Sequence, residues 1–195
     1  MSQSSHSPIG MVSRTHDLNM VTTKRPRPKM IEIERRFLCE VADPRVLDTA
    51  PASNLRQGYL TAEGPTVRVR KIADRYLMTI KVGTGIVRRE VEFQIPTEAG
   101  RELLEITDEL MIEKRRYYLG RWEIDIFKGD LEGLTIAEVE LAATDEPLPD
   151  LPPGIILGRE VTDDPRFTNQ SLASLGPDSL TDLLNELGPD DDGSP

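Results

Sequence analysis

Histidine is nearly absent from this chain: there are two, His6 and His16, both inside the first twenty residues. A core without histidine excludes His-ligated zinc and any Ser-His or Cys-His nucleophilic pair. Cysteine is scarcer still. Cys39 stands alone, so no internal disulfide forms, and a reducing compartment fits. Neither a helix start nor a histidine lies near it to activate the thiol, so packing is its expected role. No apolar run approaches the roughly 20 residues of a membrane span. The N-terminus also lacks the apolar stretch of a secretory signal, so the expectation is a cytoplasmic protein without membrane contact. Neither G-x-x-x-x-G-K-[ST] nor G-x-G-x-x-G occurs. The chemistry is left to Glu, Asp, Arg, Lys and Tyr.

What the chain has in quantity is charge, 30 % of its residues, with a net value of -10. The distribution is uneven: residues 1–30 sum to +4 and residues 178–195 to -6. A net negative protein is a poor nucleic-acid binder, but an internal pocket of opposite sign remains open to it. Its 195 residues predict one domain with tails. Residues 1–29 are rich in Ser, Thr, Pro and basic groups with no apolar period, which predicts a disordered basic tail. Residues 30–177 form the domain, and 178–195 read as a short helix, "DSLTDLLNELG", running into an acidic disordered end.

Between the tails, period-two alternation predicts strands at 30–39, 55–62, 66–73, 75–82, 86–95, 111–119, 121–128 and 134–142. Helices are expected at "DPRVLDTA", "TEAGRELLEIT" and "TNQSLASLG", from about 168 to Gly176. The fold class is therefore α+β: an eight-stranded antiparallel β-barrel, closed or nearly so, with a few short flanking helices.

One face of these strands carries like charges at i, i+2. "IEIERRFL" aligns Glu32, Glu34 and Arg36, "TVRVRK" aligns Arg68 and Arg70, "IEKRRYY" aligns Lys114 and Arg116, and "IAEVEL" aligns Glu138 and Glu140. Other strands add Lys81, then Arg88, Glu90, Glu92 and Gln94, then Glu123 and Asp125. Like charges about 7 Å apart along a strand repel unless something opposite lies between them. A plain sheet with a solvated charged face competes with a barrel whose charged face is the interior. The recurring doublets favour the barrel, its apolar exterior covered by helices or by a second subunit in a homodimer. Six cations, Arg36, Arg68, Arg70, Lys81, Lys114 and Arg116, then ask for an extended polyanion, and arginine's fork suits phosphate. Glu32/Glu34 and Glu138/Glu140 ask for a hard divalent cation, Mg²⁺ or Mn²⁺.

The blocks "IEIERRFL", "QGYL", "VRVR", "MTIK", "RREVE", "EKRRY", "WEIDIFKG", "AEVEL" and "GREVTDDPRFTN" resemble, in this order, the CYTH superfamily of triphosphate tunnel metalloenzymes. The likeness runs from about residue 30 to 175 and is greatest to the compact bacterial triphosphatases; class IV adenylyl cyclases and animal thiamine triphosphatases are more distant. It implies an eight-stranded tunnel holding triphosphate through basic residues and metal through acidic ones. Carried onto this chain, Arg68, Arg70, Lys81, Lys114 and Arg116 match phosphate binders, and Glu32, Glu34, Glu138 and Glu140 match metal ligands. Glu90, Glu92 and Asp125 match further tunnel acids, of which Asp125 is grouped with the metal and Glu90 and Glu92 with the attacking water. Glu160, Arg166 and Asn169 fall in a C-terminal segment that packs near one mouth in relatives.

One position departs from the pattern. The family signature is E-x-E-x-K, and Arg36 stands where the lysine is expected to pair with the tyrosine of "QGYL", here Tyr59. Arginine keeps the charge but does not give up its proton at usable pH. Arg36 and Tyr59 are therefore expected at the reaction centre, with position 36 excluded as a proton acceptor. The implied reaction is metal-dependent hydrolysis of a small triphosphate, foremost inorganic tripolyphosphate. A cyclase making cyclic AMP from ATP, or a polyphosphate-binding module without turnover, are the competing readings.

Overall fold

The computed structural model describes residues 31–107 and 109–187. The expected disorder of the N-terminal tail and of the acidic end lies outside these residues. Nine strands form: β1 (Glu32–Val41), β2 (Ala52–Tyr59), β3 (Thr66–Ile72), β4 (Arg75–Val82), β5 (Val87–Ile95), β6 (Met111–Leu119), β7 (Trp122–Phe127), β8 (Thr135–Glu140) and β9 (Ile155–Glu160). Three α-helices accompany them: α1 (Thr97–Ile106), α2 (Asn169–Leu172) and α3 (Pro177–Leu187).

The hydrogen-bonded order is β5-β4-β3-β2-β6-β7-β8-β1-β9, and β5 returns to pair with β1. Strands β1 to β8 thereby close an antiparallel barrel, as expected, with β9 outside the ring. Closure is short. Only Glu32↔Arg88 and Ile33↔Val87 register between β1 and β5, extended by Glu34 N–H donating to Ile86 O at 3.1 Å. Farther along the same edge of β1, β9 takes over from Phe37↔Glu160 to Val41↔Ile155, with a register shift between Phe37 and Cys39.

Three elements differ most from their expected extents. "DPRVLDTA" makes one 3-10 turn, Pro44–Leu47, because Asp43 caps Arg45 N–H and the chain must already be extended at Ala52 to pair with Tyr117. That same pairing starts β2 three residues early. "TNQSLASLG" yields only the four-residue α2, capped by Thr168, whose side chain accepts from Ser171 N–H. Strand β9 was not expected at all.

Apolar outer faces are covered unequally. Trp122, Ile124, Val139 and Phe37 pack beneath β9, with Ile155 and Leu141. Helix α1 lays Leu104 on Val69 and Tyr76. The outer faces of β4 and β5 leave Ile80, Val82, Val91 and Phe93 exposed. Inside the barrel, apolar Ile112, Phe127 and Ile136 at one end of the inward rows gather with Leu131, Leu134, Val161, Phe167 and Leu172, and α3 adds Leu180 and Leu183. This apolar plug confines the charged lining to the rest of the interior.

A glycine in mid-helix costs about 1 kcal/mol against alanine, yet Gly100 is buried in α1. A Cβ there would come within 2.2 Å of Tyr76 Cγ, so its absence is what lets the helix lie on the sheet. Gly100→Ala is expected to destabilise the fold by about 1–3 kcal/mol in urea unfolding, against the usual preference for alanine in a helix. Cys39 packs against the cluster under β9, and burial pushes its thiol up to about 12. Native protein at pH 8 should react with iodoacetamide at least about a hundredfold more slowly than urea-unfolded protein.

Candidate active site

Strict alternation turns the charged rows inward around a cavity of about 870 Å³. Glu32, Glu34, Arg36, Tyr59, Arg68, Arg70, Lys81, Glu90, Glu92, Arg116, Glu138 and Glu140 all line it. Twelve of the fourteen expected site residues are thus brought to one space. Lys114 and Asp125 are not among its lining residues; they are 1 % and 0 % exposed and lie deeper in the wall.

Most of the charged groups are paired across strands. Lys81 Nζ donates to both Glu32 oxygens at 2.8 and 3.0 Å and lies 2.8 Å from Glu90. Arg88 bridges Glu34 at 2.6 Å and Glu32 at 3.1 Å. Arg68 donates to Thr79 at 3.0 Å and to Glu92 at 3.4 Å, and Thr79 in turn donates to Glu92 at 2.7 Å. Arg70 donates to Gln57 Oε1 at 3.0 Å, and Gln57 Nε2 donates to the Tyr59 hydroxyl at 2.7 Å. Arg116 holds both oxygens of Asp125, at 2.6 and 2.5 Å, and also contacts Glu123 and Glu138.

Two carboxylate pairs face each other directly across strands: Glu34↔Glu140 between β1 and β8, and Glu123↔Glu138 between β7 and β8. Directly opposed like charges destabilise a sheet unless bridged. Arg116 bridges the second pair. The first brings carboxylates of β1 and β8 to one wall beside Glu32 and Glu138.

The electrostatics follow from this crowding. Burial pushes the Glu138 carboxyl up, but Lys114, Arg116 and Arg36 outweigh it and hold the group well below the usual carboxylate range. Burial likewise raises Glu90, and Lys81 outweighs it, leaving Glu90 lowered. Glu123 goes the other way, raised by burial against the pull of Arg116. Desolvation and the neighbouring Arg68 and Arg116 push Arg70 down to about 10. Burial raises the Tyr59 hydroxyl despite Arg68 and Arg70, so it keeps its proton at neutral pH.

Three arginine Nε–H groups, those of Arg36, Arg68 and Arg88, are buried without a hydrogen-bond partner, and all three residues line the cavity. An unsatisfied buried donor costs about 1–3 kcal/mol, more when charged. The cationic side chains that line the cavity suit an acceptor-rich ligand.

For a metal, the donor set decides. Glu32, Glu34, Glu138 and Glu140 offer oxygen only, which fits a hard divalent cation. Among the described residues no three such side chains already form a cage; Lys81, Arg88 and Arg116 hold oxygens of Glu32, Glu34 and Glu138 instead. Asp125 lies apart from this set: both of its oxygens are taken by Lys114 and Arg116 in a fully buried cluster. Lys114 is held there by Asp125, by Asn169 Oδ1 at 3.2 Å, and above the Phe127 ring at 5.0 Å.

Several lining residues were absent from the expected set. Arg88, Glu123 and Arg121 are three, and Thr162, Asp163 and Gln170 of the C-terminal segment are others. Inward parity had already marked Arg88 and Glu123. Of the C-terminal candidates, Asn169 lines the cavity. Glu160 instead pairs outside the barrel with Arg35, whose Nε donates at 2.8 Å. Arg166 is exposed between Asp164 and Glu186.

The fold is thus a closed antiparallel barrel around a cavity lined by interleaved basic and acidic rows. The CYTH domain model matches residues 30–151, and the chain belongs to that family. It is 40 % identical over 148 residues to an inorganic triphosphatase of Acetivibrio thermocellus, covering 72 % of this chain and 92 % of that protein. It is 37 % identical over 152 residues to an inorganic triphosphatase of Nitrosomonas europaea, covering 74 % and 97 %. The crystal structure of the inorganic triphosphatase NE1496 superposes with a TM-score of 0.53 at 35 % identity, covering 75 % of this chain and 96 % of that one. Family membership implies a divalent metal, which the carboxylate set fits.

Proposed function

We propose that this chain is a divalent-metal-dependent inorganic triphosphatase that cleaves the terminal phosphoryl group of tripolyphosphate. The observation that carries this is one cavity lined both by Arg68, Arg70, Lys81, Arg88 and Arg116 and by the four oxygen-donor carboxylates Glu32, Glu34, Glu138 and Glu140. Arg68, Arg70, Lys81, Arg88 and Arg116 grip phosphate oxygens, all but Arg70 exchanging carboxylate partners for substrate and Arg70 exchanging the Gln57 amide. Glu32, Glu34, Glu138 and Glu140 would hold a divalent ion, Mg²⁺ or Mn²⁺, which when bound would supply charge neutralisation and a more acidic water. Glu90 and Glu92 orient the water that attacks the terminal phosphorus. Glu90 stays ionised at neutral pH because Lys81 outweighs its burial. As the new P–O bond forms, the bridging P–O bond breaks, giving orthophosphate and pyrophosphate. Tyr59 keeps its proton and serves as a donor to a substrate oxygen.

Tyr59 is the one aromatic side chain among the described residues that line the cavity, and nothing there stacks a base. This favours inorganic triphosphate over nucleotide substrates and hydrolysis over cyclisation. No helix among the described residues is long and apolar enough to cross a membrane. With its single unpaired cysteine, we place the enzyme in the cytoplasm.

Orthophosphate release from tripolyphosphate, thiamine triphosphate, ATP and GTP, each with Mg²⁺ and with Mn²⁺, tests the reading. Tripolyphosphate should give the highest kcat/KM. Faster turnover of a nucleotide, or cyclic AMP with pyrophosphate from ATP, would contradict it. Arg68→Ala should lower kcat/KM for tripolyphosphate by about 2–4 kcal/mol, roughly 30- to 1000-fold, mainly through KM.

A further inference from the structure

Arg36 occupies a singular place on β1. Strand β5 takes the edge of β1 through Glu32 and Ile33, and β9 takes it from Phe37 onward, so Arg36 lies where the barrel wall passes from one to the other. Its side chain is 4 % exposed. Hydrogen bonds from both its backbone and its side chain tie it to the chain that follows β9. Val161 N–H donates to Arg36 O at 2.9 Å, and Arg36 N–H donates to Thr162 Oγ1 at 3.0 Å. The guanidinium then donates through Nη1 to Phe167 O at 2.7 Å and through Nη2 to Thr162 O at 3.1 Å.

The segment so held crosses the cavity wall. It contributes Thr162, Asp163, Thr168, Asn169 and Gln170 to the lining. Its far end is fastened to the β2–β3 connection: Gln170 Nε2 donates to Thr61 O at 2.7 Å, and Thr66 Oγ1 donates to Gln170 Oε1 at 2.5 Å. Between the fasteners it abuts the β4–β5 turn, where a Cβ on Gly85 would come within 2.8 Å of Asp163 Oδ1.

We propose that Arg36 is a positioning residue, whose guanidinium fork latches residues 162–167 across the wall so that this segment selects which triphosphates the cavity accepts. The selectivity half rests on the triphosphatase reading; the latch does not. The planar fork is what the site requires. It meets two carbonyls five residues apart at once, with fixed geometry, whereas a lysine ammonium is a point charge on a flexible stem. Both terminal nitrogens are committed to backbone oxygens, so the residue acts on substrate through the segment it holds.

Hydrogen exchange on the full chain, read by mass spectrometry, tests the latch without any substrate. Arg36→Lys keeps the charge and loses the fork, so amides across 161–173 should exchange at least about tenfold faster, as expected for two lost hydrogen bonds, while those of β2–β4 are unchanged. In parallel, KM for tripolyphosphate should rise more than kcat falls, and the ratio of kcat/KM for tripolyphosphate to that for ATP should drop about tenfold or more. Gln170→Ala, which loosens the other fastener and leaves Arg36 in place, should move the same ratio in the same direction, and it decides the matter if Arg36→Lys fails to fold. Wild-type protection in Arg36→Lys overturns the latch. Lost protection with unchanged selectivity, in either variant, overturns the selective role of the segment. Failure of the wild-type protein to release phosphate would overturn the triphosphatase reading and selectivity with it, while exchange still decides the latch.

Discussion

Glu138→Gln should lower metal-dependent phosphate release from tripolyphosphate by about 10²–10³-fold, the scale on which one preorganised electrostatic group is lost from a water-poor site. Glu138 is 5 % exposed, contacts Arg116, and stands opposite Arg36 on β1 and Glu123 on β7. Lys114, Arg116 and Arg36 hold its carboxyl well below the usual range despite burial, so it carries its charge at neutral pH. Gln keeps the shape and removes that charge. The apparent affinity for Mg²⁺ or Mn²⁺, titrated by activity, should weaken in the same variant. The fold should suffer much less, because Arg116 retains Asp125 and Glu123. A variant with full activity would show that this carboxylate is not a ligand.

Asp125→Ala should act in the opposite register, destabilising the fold by about 3–5 kcal/mol in urea unfolding, the cost of stripping the partner from buried cations. Asp125 is fully buried, and its two oxygens neutralise Lys114 and Arg116 together. Burial already pulls the Lys114 pKa down, with Asp125 as the first opposing charge. Without it, two cations are left in the wall near Arg70 with too few counter-charges. A residue that served only as a metal ligand would lose activity and leave the unfolding midpoint in place, so the two roles separate cleanly.

Alternation alone located the eight barrel strands and turned the charged rows inward, because period two is a local property of the chain. Depth is not local. Parity places Lys114 and Arg116 on one face, yet Arg116 lines the cavity and Lys114 sits beside Phe127 and Asn169, near the apolar plug. The plug is built from residues of the C-terminal segment and α3 that sequence spacing cannot bring to the barrel. Arg36 is the same lesson in one side chain: its carbonyl partners are 126 and 131 residues away. Strand β9 follows a run rich in Pro and Asp, and its "IILGRE" lacks clean alternation, so pairing to β1 alone defines it. Arg88 was legible but passed over, since it stands beside Arg89 and forms no i, i+2 doublet of like charge.

Phosphorus NMR of tripolyphosphate incubated with the wild-type protein and Mg²⁺ or Mn²⁺ puts the central claim to its most direct test. The triphosphate signals should disappear as pyrophosphate and orthophosphate grow in equal molar amounts, and chelation should abolish the change. Tripolyphosphate left intact by the folded protein with either metal would contradict it.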